Sequence, residues 1–145
     1  MVMILVRWIL RLALAAIYLV AGVPKLCDPW SFARAIHNFR ILPLAWIPPI
    51  AITLPVLEII AALAVLTGVL YRGGVLCLLG LSLAFAGGIA SAIVRGLDID
   101  CGCFGSLAHT GANIPHLVLN LATAAAGTIL LVAQARRQRR QRSFR

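Results

Sequence analysis

The stretch Ile50-Ala51-Ile52-Thr53-Leu54-Pro55-Val56-Leu57-Glu58-Ile59-Ile60-Ala61-Ala62-Leu63-Ala64-Val65-Leu66-Thr67-Gly68-Val69-Leu70 carries one ionisable side chain, Glu58, in an otherwise almost wholly apolar run. A helix needs about 20 such residues to cross about 30 Å of hydrocarbon, so this run reads as a membrane span. Pro48-Pro49 stand just before it, where prolines suit a first helical turn and would break a later one. Three further runs have the same character, over 4–23, 74–94 and 114–132, the last with Asn113 as N-cap and Pro115 just inside. Arg7 and Arg11 interrupt the first run one turn apart, near enough to its end to snorkel. That run also has the form of a signal peptide, a basic start followed by an apolar stretch ending in Ala21-Gly22, which is the weighed alternative.

Composition points the same way. Of the 145 residues 62% are hydrophobic and four are acidic, far more apolar surface than one small globule can bury. The net charge of +9 arises largely from six basic residues between Arg136 and Arg145. Beside a span such a block anchors the chain to anionic lipid, and with no aromatic residue interleaved before Phe144 it does not read as a nucleic-acid site. The expected architecture is all-α: an integral membrane four-helix bundle over 1–135 and a basic cytoplasmic tail over 136–145. Tyr71-Arg72-Gly73 is expected to be a tight turn joining the second and third spans as antiparallel neighbours. In the first outer loop, Phe32, Ile36 and Phe39 recur at helical spacing and predict a short amphipathic helix at the membrane surface. Ala84, Gly88 and Ala92, with Thr123 and Gly127, are expected to be helix contacts.

Four spans place both termini on one side. That side holds Arg7, Arg11, Arg72 and the six tail arginines, and the other holds Lys25, Arg34, Arg40 and Arg95. The excess of basic residues belongs in the cytoplasm, so both termini are expected there, in a bacterial inner membrane. Cys27, Cys101 and Cys103 then face the oxidising side, where disulfides persist.

Asp98-Ile99-Asp100-Cys101-Gly102-Cys103-Phe104-Gly105 is the stretch richest in chemistry. Two thiols flanking one glycine just reach bonding distance, and a bridge over so short a loop is strained and readily exchanged. The competing readings are a structural bridge from Cys27 to Cys101 or Cys103, and metal ligation. Cys27 is either a resolving thiol or inert, and Cys77 reads as a small buried hydrophobe. Glu58 lies deep in its span, where an ionisable group must face the bundle interior. It reads as a proton relay or a contact to a membrane quinone head group, against a packing hydrogen bond to Tyr18 or Asn120. Lys25 reads as a helix-end anchor or as a partner for an acidic group or quinone oxygen. The spacings of His37, His109 and His116 match no metal motif, so no metal site is assigned.

Gly22-Val23-Pro24-Lys25, Asp28-Pro29, Leu42-Pro43, Leu54-Pro55-Val56-Leu57-Glu58 and Cys101-Gly102-Cys103-Phe104-Gly105 together resemble the DoxX-like membrane proteins, specifically their MauE branch. The resemblance implies a four-helix membrane bundle with an accessory role in disulfide formation or maturation of extracytoplasmic redox proteins, beside a thioredoxin-like or dehydrogenase partner. It also implies Cys101 and Cys103 as the redox pair, with Glu58 and Lys25 as pattern positions of undefined role. A non-catalytic membrane subunit that docks a redox partner is the alternative.

Overall fold

The computed structural model describes residues 2–97 and 114–142. Among them the order is α1 (Val2–Cys27), α2 (Pro29–Asn38), a 3-10 turn (Leu44–Trp46), α3 (Ile47–Thr67), α4 (Tyr71–Val94) and α5 (Ile114–Arg142). Helices α1, α3, α4 and α5 are each long and apolar enough to cross a membrane. Their outward positions hold Ile9, Ile52, Ile60, Leu76, Leu83, Val118 and Ile129, each more than half exposed. In water a ring of apolar side chains on every helix would drive aggregation; in lipid it is the solvated surface. The chain is thus a multi-pass membrane protein with an all-α bundle.

The boundaries differ from the sequence expectation in three places, each for a local reason. Helix α1 does not end at Val23 but runs through Pro24 to Cys27. A proline costs a helix one N–H bond, and here the chain closes the next turn regardless, with Asp28 N donating to Pro24 O at 3.0 Å. Leu14, Tyr18, Ala21 and Lys25 therefore share one continuous inward face, and α1 is part of the core. Helix α3 stops at Thr67 because Gly68 takes the left-handed conformation (φ 86°) and donates to Ala64 O. The turn to α4 is therefore 68–70, and Tyr71-Arg72-Gly73 open the next helix. The apolar Val69 and Leu70 lie in the turn itself, 68% and 81% exposed, which hid it from a reading based on hydrophobicity. Finally, α5 continues without a break into the basic segment as far as Arg142.

The core joins Leu14, Ala15 and Tyr18 of α1, Ala61, Ala62 and Val65 of α3, Val75, Leu78 and Leu81 of α4, and Leu130 of α5. Helix α1 packs on α3, α3 on α4 and α4 on α5, while the α1–α5 seam is the lightest contact of the ring. Two glycines set the closest approaches. A Cβ at Gly74 would stand 2.9 Å from Ala61 O, and one at Gly22 would stand 3.1 Å from Ile59 Cγ1 and 3.2 Å from Glu58 Cβ. The expected stripe on α4 is not the packing surface: Ala84 is exposed and Ala92 alone of the three is buried. Thr123 and Gly127 do face the interior.

Helix α2 is as amphipathic as expected, with Phe32 and Ala35 buried. It packs on α3, across one end of the bundle. Asp28 caps it by accepting from Ser31 N at 3.0 Å, with Pro29 at the first helical position. At its other end Arg95 donates to Phe39 O at 2.8 Å, tying the end of α4 to the end of α2.

Candidate functional site: a buried ion pair beneath the α2 cap

Because α1 continues past Pro24, Lys25 points into the bundle and not along its surface. Its Nζ donates to Glu58 Oε1 at 2.8 Å and to Oε2 at 3.0 Å. The two side chains are 1% and 0% exposed, so the pair is shielded from both water and lipid. Gly22, one turn before Lys25, lets α1 approach α3 closely enough for the two to meet. The ammonium also lies 4.6 Å from the centre of the Phe85 ring and 5.2 Å from that of Phe32. Helices α1, α2, α3 and α4 thus all contribute to one cation's surroundings. Each aromatic face adds attraction that grows once water is excluded.

Beside the pair is a cavity of about 20 Å³, room for a single water. Tyr18, Asn120 and Thr123 line it together with Lys25 and Glu58. Tyr18 Oη and Ser82 Oγ share a hydrogen bond, Ser82 Oγ and Thr123 Oγ1 share another at 3.0 Å, and Thr123 donates to Asn120 O at 2.9 Å. A hydroxyl chain therefore leads from the cavity across α4 to α5. Glu58 takes Lys25 as its partner in place of Tyr18 or Asn120; Asn120 donates to His116 O at 2.9 Å.

Cys27 is the last residue of α1, exposed and free, two positions beyond Lys25. Cys77 is half-buried in α4 and packs against the core from its rim. His37 is exposed on α2 and His116 is half-buried on α5. Cys101, Cys103 and His109 lie outside the described residues.

A sequence profile of the methylamine utilisation protein MauE family matches residues 3–133. The chain belongs to the MauE family. Two relatives, both methylamine utilization protein MauE, are 35% identical over 101 residues in Paracoccus denitrificans and 36% identical over 101 residues in Paracoccus versutus. In each case the match covers 69% of this chain and 54% of the relative, so the MauE-family chain spans about half the length of the curated relatives it matches. No solved structure matches it.

Reading the residues singly missed the Lys25–Glu58 contact and the two rings around it. A usable signal was present: Leu14, Tyr18, Ala21 and Lys25 keep helical phase across Pro24. A deeply placed acid also calls for a base, and Lys25 is the only lysine in the chain.

Proposed function

We propose that this MauE-family chain is a membrane thiol-disulfide relay supporting the maturation of an extracytoplasmic redox protein, with both termini in the cytoplasm of a bacterial inner membrane. In this reading the disulfide between Cys101 and Cys103 accepts two electrons and two protons from a partner dithiol, which leaves the partner bridged and the pair reduced. A membrane quinone then takes those two electrons and two protons to become quinol, and the disulfide re-forms. Family membership supports the accessory role. The observation that carries the relay is the position of Cys27: its exposed thiol stands at the end of the bundle where Arg95 ties α4 to α2, a few residues before the chain runs on to Cys101. The partner dithiol belongs to a thioredoxin-like protein or to a dehydrogenase subunit. The ion pair's part is to hold α1, α2 and α3 in register beneath that surface.

Alkylation of native membranes followed by mass spectrometry tests this. Cys101 and Cys103 are expected to shift from bridged to alkylated when quinone is depleted and to return when it is restored. Thiols locked in either state sink the relay. If Cys101→Ser with Cys103→Ser leaves partner maturation at the parent level, the chain serves as a non-catalytic docking subunit instead.

A further inference from the structure

The opposite end of the bundle, where α1 begins, presents a different problem. The four acidic residues of the chain are Asp28, Glu58, Asp98 and Asp100, so α1, α4 and α5 contain no carboxylate at all. Yet this end gathers Arg7 and Arg11 on one face of α1, Arg72 at the start of α4 and Arg136 on α5, ahead of the basic tail. Arg11 is satisfied: Nε donates to Val65 O, Nη2 donates to Leu66 O at 3.0 Å, and the guanidinium lies 4.7 Å from the Trp8 ring centre and 5.1 Å from that of Tyr71. Arg7 is not. Its Nε is shielded from solvent and has no hydrogen-bond partner among the described residues, although Arg7 lies near enough to Tyr71 to act on it electrostatically.

A second shielded polar atom without a partner lies on α5, Gln134 Oε1. The register places it at the same end. Gly127 faces Val75 and Leu79 of the antiparallel α4, and two turns further on α5 reaches the level of Tyr71. Shielded donors and acceptors are almost always paired. Among the described residues neither atom has a hydrogen-bond partner.

We propose that this end is a headgroup site for an anionic phospholipid of the phosphatidylglycerol type. Its phosphate oxygens accept from Arg7, with Arg72 and Arg136 adding charge, and a glycerol hydroxyl donates to Gln134 Oε1. Planar guanidinium forks suit phosphate oxyanions, and α1, α4 and α5 meet lipid directly here. The site is independent of the cysteine chemistry at the other end.

Native mass spectrometry of the full chain, titrated separately with phosphatidylglycerol, phosphatidylcholine and inorganic phosphate, tests it. Phosphatidylglycerol is expected to bind about tenfold more tightly than phosphatidylcholine, and Arg7→Gln to weaken it about fivefold, the value of one arginine near a charged headgroup. Arg34→Gln, which removes the same charge from α2, leaves binding unchanged. Equal binding of the two lipids, or equal losses in Arg7→Gln and Arg34→Gln, overturns the site. Inorganic phosphate binding as tightly as phosphatidylglycerol overturns the lipid as its source. Gln134→Leu keeps the proposal testable if Arg7→Gln loses helix by circular dichroism. It is expected to weaken phosphatidylglycerol too, and parental binding in that variant overturns the site.

Discussion

Lys25 and Arg11 are both cations on the inner side of α1, and they are satisfied in opposite ways. Lys25 is shielded completely and faces a carboxylate on α3, with the Phe32 and Phe85 rings beside its ammonium. Arg11 is half exposed and donates to the two carbonyls left over at the end of α3, stacked between Trp8 and Tyr71. The difference follows from the partner available and from water. At a helix C-terminus the unpaired carbonyls carry partial negative charge, which suffices for a cation that keeps part of its hydration. Deeper in the bundle nothing short of a full opposite charge offsets the loss of water. One helix thus fastens α3 at two levels, by an ion pair near its middle and a guanidinium cap at its C-terminal end.

The largest effect is expected at the ion pair. Lys25→Met or Glu58→Leu alone strands one buried charge and should lower stability by about 3–5 kcal/mol, whereas the double variant removes both charges and should recover most of that loss. Denaturant unfolding in detergent micelles measures this as a double-mutant cycle. Additive losses would mean that the two residues act separately and that the contrast with Arg11 is false.

At the cap, Arg11→Ala should cost about 1–2 kcal/mol, because the carbonyls of Val65 and Leu66 can turn to interfacial water once the guanidinium is gone. The same unfolding assay reads it. A loss as large as that of the single ion-pair variants would erase the distinction between the two cations.

The smallest effect is expected at Asp28, the half-buried carboxylate beside the Lys25 end. Hydrogen bonds from Ser31, aided by the nearby charge of Arg34, hold its carboxyl below the usual carboxylate range. A depressed native value means that the cap's contribution is fully present above the unfolded value of about 3.9 and is lost as pH falls through the lower native value. Amide exchange at the start of α2, divided by its intrinsic rate at each pH, should accelerate over that acidic window and no higher, and in Asp28→Asn, which keeps the acceptor, this ratio should lose its pH dependence. Acceleration already at neutral pH would show that the cap does not hold α2.

Run length and local chemistry determined much of this protein without any tertiary information. Four apolar stretches long enough to cross lipid had to become helices, since a chain in hydrocarbon must satisfy its backbone within itself. Pro48-Pro49 act within one turn of their own position, so the start of α3 was legible to within a few residues. The spacing of Phe32, Ile36 and Phe39 likewise gave away α2. Where α3 ended was not legible, because the left-handed Gly68 is followed by apolar Val69 and Leu70 in an exposed turn. The tertiary structure alone decided what Lys25 and Glu58 do. Their meeting needed α1 to continue through Pro24 and Gly22 to bring two helices into contact, and both depend on atoms far apart in the chain. Hydrophobicity acts on each residue's own surface, whereas an ion pair forms only where packing has already brought its two members together.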